Sequence, residues 1–149
     1  MKPGWGTSMF LGEFHYKIDD KGRIPIPPRY RKELVDGLVV MPGPEKCLSA
    51  FTPEEWSKQT DRINASSLAP SKRRRLERAM YGLSFSLSLD GQGRIALPQQ
   101  LRQYAGIDDE AVVVGANTSL ELWDKDLWEA EREASQQQVW QIIEGLEER

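Results

Sequence analysis

The sequence is poor in the residues that build most catalytic and metal sites. It contains one cysteine, Cys47, and one histidine, His15, in 149 residues. A single cysteine excludes an intramolecular disulfide, and no cluster of His, Cys and carboxylate residues has the spacing of metal ligands. Both residues stand in strand-like patterns, so we expect structural roles for them. We therefore predict that the protein is not an enzyme and needs no metal, cofactor or small-molecule substrate.

Long apolar runs are also missing from the sequence. No run approaches the ~18 residues that cross a bilayer, and residues 1–8 lack the apolar core of a signal peptide. We predict that residues 1–8 form a flexible extension, that no membrane is a partner, and that the protein is cytoplasmic. A chain of 149 residues can form one domain with its own core, or two half-domains that share one.

The most informative feature that is present is an internal duplication. The segment from Ile18 to Pro27 returns 71 residues later as the segment from Leu89 to Pro98. The matched positions are Asp19 with Asp90, Gly22 with Gly93, Arg23 with Arg94, and Arg31 with Arg102. With one residue added, the agreement continues downstream, where Phe51 meets Trp123 and Trp56 meets Trp128. Two copies of one unit therefore make up most of the chain.

Each copy has the pattern of a strand, a tight loop and a second strand. Asp-x-x-Gly is a turn signal, because Asp accepts hydrogen bonds from the following backbone and Gly adopts a positive φ. Phe85, Leu87 and Leu89 alternate with serines before the second loop, which is typical of a half-buried strand. A short helix is predicted after each loop, from Pro28 to Leu34 and from Gln99 to Tyr104.

The two copies predict the same elements downstream of the short helix. Gly106 is typical of a helix C-cap, and Thr52 and Asp124 are typical N-caps of later helices. The predicted strands in between cover residues 38–41, 47–51, 111–114 and 119–123. Each repeat is therefore predicted to run strand, loop, strand, short helix, strand, strand and helix.

The sequence predicts one further helix between the repeats and a long final helix that begins in the second repeat. The segment from Pro70 to Gly82 includes a basic run, Lys72 to Arg78, which could contact phosphates but is more often a solvated or subunit-facing surface. The segment from Asp124 to Glu148 has an apolar stripe that could cover the core or meet a neighbouring subunit. The predicted division of the chain is 1–8 extension, 9–57 first repeat, 58–82 helical linker, 83–128 second repeat and 129–149 C-terminal helix.

The net charge of −3 argues against a polyanionic partner, but the two signs are segregated. Residues 1–35 carry seven Lys or Arg against four Asp or Glu, and residues 70–102 carry seven against two. Residues 103–149, in contrast, carry three against twelve. Both repeated loops lie in basic segments, which indicates an anionic partner on one face. The alternative is a surface whose charges balance in three dimensions.

Arg23 and Arg94 are the best candidates for contacting an anion. The guanidinium is a rigid fork of donors that suits phosphates and the O6 and N7 edge of guanine. The Asp four residues earlier could hold each guanidinium in one orientation. Alternatively, each pair is only an ion pair within its loop, which contributes ~0–1 kcal/mol at a surface. Because Lys21 has Gln92 as its counterpart, we expect the first loop to dominate phosphate contact.

The doubled Asp-x-x-Gly-Arg loop, each time followed by Ile-x-[Ile/Leu]-Pro and a short helix with Arg, resembles the AbrB-like swapped-hairpin barrel. The tandem arrangement over about residues 9–130 is similar to that of the MraZ family, which has tandem SpoVT-AbrB-like domains. The resemblance implies an α+β, β-rich fold. In that fold, two pseudo-symmetric repeats interleave their hairpins into one β-barrel with helices at the periphery.

The same resemblance implies a function and partners. MraZ-like proteins are sequence-specific transcriptional regulators, here expected to act as a repressor, of the division and cell wall gene cluster. They bind tandem direct repeats of double-stranded DNA upstream of their own operon, as ring-shaped homo-oligomers, which implies a place at the nucleoid. The family's Asp-x-x-x-Arg motif falls on both loops. The residues expected to bind DNA are Arg23, Lys21 and Arg94, and those expected to orient or form the loops are Asp19, Gly22, Asp90 and Gly93.

Two other functions remain open from the residues. An antitoxin-like module of the same fold would engage a protein partner through its acidic C-terminal helix. A small hydrolase would use Asp19 and Asp90 as a catalytic pair, although Asp in a turn signature is usually structural.

Overall fold

The computed structural model describes residues 9–147 of the chain. The predicted extension over residues 1–8 and the predicted helix end at Glu148 lie outside the described residues. The strands are β1 (Glu13–Lys17), β2 (Arg23–Pro25), β3 (Leu38–Pro42), β4 (Leu48–Phe51), β5 (Phe85–Leu87), β6 (Arg94–Ala96), β7 (Glu110–Ala116) and β8 (Ser119–Asp124). The α-helices are α1 (Pro53–Asn64), α2 (Pro70–Gly82), α3 (Gln99–Ala105) and α4 (Lys125–Glu147).

The strands form a six-stranded antiparallel sheet in the order β1-β7-β8-β4-β3-β5 and a separate antiparallel pair, β2-β6. The duplication relates β1 to β5, β2 to β6, β3 to β7 and β4 to β8, so the sheet order reads the same from either end. The first strand of each repeat pairs with the third strand of the other: Phe14 lies opposite Val113, and Phe85 lies opposite Val40. This exchange confirms the predicted swapped-hairpin, α+β fold.

The hairpins and the barrel are looser than the sequence pattern suggested. In each repeat the two strands beside the loop pair with different partners, β1 with β7 and β2 with β6. The loop itself is closed by its own backbone, with the Asp19 amide donating to the Arg23 carbonyl at 3.2 Å. The chain diverges after this closure because Ile24 pairs with Ile95 of the other repeat. The barrel is therefore approximate, and its main sheet is not closed.

The core is shared by the two repeats. Ile24 and Ile95 face each other across β2 and β6, and both are fully buried. Burying one such side chain contributes about 1.5–3 kcal/mol. On β7, Ala111 and Val113 join this core, whereas Val112 packs on the opposite face with a second buried cluster. Burial on both faces explains the uninterrupted apolar run in this strand.

The helix ends follow the predicted caps. The Thr52 hydroxyl accepts a hydrogen bond from the Glu55 amide at 3.1 Å, and Asp124 Oδ2 accepts one from the Leu127 amide at 3.1 Å. Gly106 closes α3 with a φ of 66°. These contacts satisfy donors and acceptors that the first and last helical turns leave without partners.

The short helix predicted from Pro28 to Leu34 is wrong in type and length. The structure has a single 3-10 turn, Pro28–Tyr30, followed by further turns. The winding is tighter because the amides of Tyr30, Arg31 and Leu34 bond carbonyls three residues back rather than four. Its counterpart α3 is a regular helix, as predicted.

The last helix of each repeat begins in the same way. In the first repeat, the Phe51 and Trp56 rings lie 5.9 Å apart, and the matched Trp123 and Trp128 rings lie 5.6 Å apart. The two helices then differ: α1 ends at Asn64, whereas α4 continues to Glu147. None of the described helices is long and apolar enough to cross a membrane.

Candidate nucleic-acid interface at the two loops

The two repeated loops have the same internal geometry. We call residues 18–23 loop 1 and residues 89–94 loop 2. In loop 1, Asp19 Oδ1 accepts hydrogen bonds from the amides of Lys21 and Arg23 at 3.0 and 2.9 Å. Asp19 Oδ2 accepts a third from Arg23 Nε at 2.6 Å. One carboxylate thus holds both the backbone of the loop and the guanidinium that emerges from it.

Loop 2 repeats this arrangement with different residues at its exposed tip. Asp90 Oδ1 accepts from the amides of Gln92 and Arg94 at 2.9 and 3.0 Å, and its Oδ2 accepts from Arg94 Nε at 2.9 Å. Gln92 is exposed where loop 1 exposes Lys21. The geometry of the two loops is therefore the same, but loop 1 carries Lys21 and Asp20 at its tip, one more cation and one more anion than loop 2.

The hydrogen bonds within the loops favour the ionised form of both loop carboxylates. The Arg23 amide, followed by the Arg23 side chain and the Lys21 amide, outweighs partial desolvation and lowers the pKa of Asp19 below its usual value. The Arg94 and Gln92 amides and the Arg94 side chain do the same for the pKa of Asp90. Both oxygens of each carboxylate already accept hydrogen bonds from their own loop. This arrangement suits an orienting role and gives no support to the hydrolase alternative.

The two loops flank the short antiparallel β2-β6 pair, one at each end. The Ile26 amide donates to the Gly93 carbonyl and the Leu97 amide donates to the Gly22 carbonyl, both at 2.9 Å. Arg94 Nη1 also lies 3.8 Å from Asp19 Oδ2, so one carboxylate contacts the guanidinium groups of both loops. Within residues 9–147, Arg23 makes no reciprocal ion pair with the Asp of loop 2. The pseudo-symmetry of the loops is therefore broken at Asp19.

Two further arginines belong to this region, and the sequence reading did not assign them to the loops. Arg31 Nε donates to the Ile26 carbonyl at 3.0 Å, and its guanidinium covers Gly93 of the other repeat. Arg102 Nε donates to the Leu97 carbonyl at 3.1 Å and covers Gly22 in the same way. The duplication had matched Arg31 with Arg102, which was the available signal. Their contacts with the opposite loop depend on the exchange of strands and could not be read from one repeat alone.

These contacts give each loop glycine two reasons to lack a side chain. Gly22 and Gly93 both have a φ of 74°, which L residues with a side chain rarely adopt. A Cβ added to Gly22 would lie 2.9 Å from Arg102 Nε, and one added to Gly93 would clash with the guanidinium of Arg31. The glycines therefore both form the loops and admit an arginine from the opposite repeat.

The remaining titratable residues considered from sequence lie outside the loops. Cys47 is fully buried, and desolvation raises its pKa to about 12, which fits the structural role expected for it. His15 is exposed on β1, where Nε2 lies 3.5 Å from Glu13 Oε1. Desolvation of Glu13 is outweighed by hydrogen bonds from Trp128 and His15 and by the charge of Arg132, so its pKa is lowered. Glu13 thereby ties β1 to α4.

Comparison with known proteins recovers the duplication. Residues 9–79 and 80–141 each match the family model described as "MraZ protein, putative antitoxin-like". A relative from Dehalococcoides mccartyi is 52% identical over 141 residues, which cover 94% of this chain and 99% of the relative. A relative from Thermobifida fusca is 41% identical over 132 residues, which cover 89% and 92%. Both relatives carry the name "Transcriptional regulator MraZ".

Proposed function

Because the chain belongs to the MraZ family, we propose that it is a transcriptional regulator that binds double-stranded DNA through loops 1 and 2. Its targets are tandem direct repeats upstream of its own operon in the division and cell wall gene cluster, where it acts as a repressor. Several copies assemble into a ring that presents one loop pair to each repeat. Such binding would place the protein at the nucleoid.

The observation that carries this proposal is the orientation of the Arg23 guanidinium. Within residues 9–147, the ion pair of Arg23 with Asp19 runs through Nε at 2.6 Å. This leaves the two terminal nitrogens for a bidentate contact with the O6 and N7 atoms of guanine, which is worth about 1–3 kcal/mol of discrimination. Arg94 Nη1 already approaches Asp19, so we assign Arg94 the secondary role.

Lys21 supplies the sequence-independent part of the contact. It is exposed at the tip of loop 1, where its ammonium can reach a phosphate. One loop pair neutralises few phosphates, so a single copy binds weakly, and its affinity depends only moderately on salt. A ring that engages several repeats at once can gain about 10²–10⁴ in affinity, which would offset the acidic net charge. The spacing of the repeats then matters as much as their sequence.

The proposal is tested by binding to a duplex taken from upstream of the protein's own gene. We expect Arg23→Ala to weaken specific binding about 5- to 150-fold, which corresponds to 1–3 kcal/mol. Arg62→Ala, which removes an exposed arginine from α1, is the matched control and should bind like the native protein. Fluorescence anisotropy over a salt series, with a scrambled duplex for comparison, measures both the sequence-specific and the sequence-independent part of the affinity.

The outcome of this experiment also locates the site. Equal binding by the native protein and Arg23→Ala would contradict loop recognition and move the contact to the basic helix α2. The antitoxin-like alternative is favoured by the description of the family model. It predicts that the native protein binds neither duplex specifically at any salt concentration.

A further inference from the structure

Helices α2 and α4 carry opposite charge. α2 contains five Lys or Arg and one Glu, whereas α4 contains six Asp or Glu and two Lys or Arg. The second half of α4, residues 135–147, holds two of these acids and no Lys or Arg. In α2, Arg73 is committed to the carbonyls of Ile63 and Ser66. The other four cations, Lys72, Arg74, Arg75 and Arg78, are exposed. Within the described residues, no ion pair joins α2 to α4, so these charges are not matched inside one copy.

The second half of α4 also exposes apolar residues in a row. Ile142 and Leu146 are each 61% exposed, and Val139 is 41% exposed. Val139 and Ile142 line an open groove of about 370 Å³ along one face of α4, and Glu131 is the charged residue in its lining. An apolar row with a charged border is typical of an interaction surface rather than of a solvated helix.

The internal symmetry of the chain indicates what kind of element fits this groove. The counterpart of α4 in the first repeat is α1, and α1 already has a helix against it. Arg73, near the start of α2, bonds the carbonyl of Ile63 near the end of α1, while Tyr81, near the end of α2, stacks edge-on against Trp56 at 6.3 Å. α2 therefore runs antiparallel to α1. The structure describes no helix in the equivalent place beside α4 within residues 9–147.

We propose that the exposed second half of α4 docks against the basic edge of α2 on a second copy of this chain. The inference deepens the ring assembly proposed above and rests on it. α2 has 13 residues and the segment 135–147 of α4 is equally long, so the two surfaces match over about 20 Å. Exposed Tyr81 and Leu83 at the end of α2 supply apolar area to meet the α4 row.

A contact between two α4 helices fits the charges less well. Both partners would then be acidic, and like charges brought into contact oppose association. Pairing α2 with α4 joins two different surfaces, so each copy contributes each surface once. Such a head-to-tail contact extends from copy to copy and forms a ring if the rotation closes. In that arrangement the cations of α2 are neutralised by protein and do not serve DNA.

The inference is tested with one variant for each surface. Arg74→Glu with Arg78→Glu reverses the α2 edge, and Ile142→Ser with Glu144→Lys disrupts the α4 row. Lys58→Glu with Arg62→Glu reverses two exposed cations of α1 and is the matched control. Light scattering after size-exclusion chromatography gives the mass of each protein, and circular dichroism verifies that each is folded.

We expect each surface variant alone to be monomeric and the control to assemble like the native protein. An equal mixture of the two surface variants should stop at a one-to-one dimer, because only one α2 edge and one α4 row remain intact. An α2 variant that assembles like the native protein would overturn the inference. If the α4 variant were then monomeric, the contact would be between two α4 helices.

The same proteins separate this inference from DNA recognition. A duplex with one repeat should bind the α2 variant as it binds the native protein, because loops 1 and 2 are unchanged. Only the gain on a duplex with several repeats, about 10²–10⁴, should be lost. A native protein that is monomeric and yet binds the one-repeat duplex would overturn the ring and this contact while leaving loop recognition in place.

Discussion

At the scale of single residues, the loop glycines offer the sharpest test of the local geometry. We expect Gly93→Ala to lower the free energy of unfolding by at least about 1–2 kcal/mol, because alanine is strained at a positive φ and its Cβ would displace Arg31. Gly91→Ala is a control within the same loop, since an added Cβ there meets nothing within 4 Å. Urea unfolding of both variants measures the difference. Equal stability of the two would contradict the described packing of Arg31.

Contacts within one loop could be predicted from the sequence, whereas contacts between the two repeats could not. The roles of Asp19 and Arg23 as partners were visible, because both lie in one loop and the duplication retained the pair. The cover of Gly93 by Arg31 was not visible, because it joins residues of different repeats. Cys47 was read correctly, since an apolar strand pattern is enough to predict burial.

At the scale of the elements, the two loops should make the stability of the protein sensitive to acid. Hydrogen bonds hold the pKa values of Asp19 and Asp90 below the usual value for an aspartate, which is about 3.9. Such groups contribute stability that is complete above the unfolded pKa and is lost as the pH falls through the lowered folded pKa. We therefore expect acid destabilisation that begins near pH 4 and continues below it.

The measurement is the free energy of unfolding at pH 7 and at about pH 3, for the native protein and for Asp19→Asn with Asp90→Asn. The double variant should lose less stability on acidification, because the two carboxylates that must bind protons are gone. Asp61→Asn, which changes an exposed carboxylate on α1, should keep the native slope. A double variant with the native slope would show that the loop carboxylates do not couple folding to protons.

The helices show why some elements were predicted and others were not. Thr52 caps the start of α1, Asp124 caps the start of α4, and Gly106 ends α3. These local signals made the three helix ends predictable. The segment from Pro28 has no such cap. This segment is instead held by a contact with a residue distant in sequence. The Tyr30 hydroxyl accepts a hydrogen bond from the Leu11 amide at 2.8 Å and donates one to the Leu11 carbonyl. Tertiary contacts of this kind override local propensity.

At the scale of the whole molecule, neither repeat is complete without the other. Each of the four strands in residues 9–82 pairs with a strand of the second repeat: β1 with β7, β2 with β6, β3 with β5 and β4 with β8. A chain of these residues alone keeps only the β3-β4 pairing. We expect this fragment to fold only as a dimer, with a second copy in place of the missing repeat. Its circular dichroism should fade on dilution, while that of the full chain persists. A folded monomer of the fragment would contradict the exchange of strands.

The broken symmetry of the two loops bears on the orientation of the DNA sites that they could recognise. A dimer with a true twofold axis reads both DNA strands alike, and its sites are palindromes. In this chain the two halves are joined covalently and have diverged: Lys21 has Gln92 as its counterpart, and Asp19 contacts both arginines. The pair of loops therefore has a front and a back. If the loops read DNA as proposed, such an asymmetric pair matches sites that all have the same orientation along the double helix, and it does not match the two halves of a palindrome equally well.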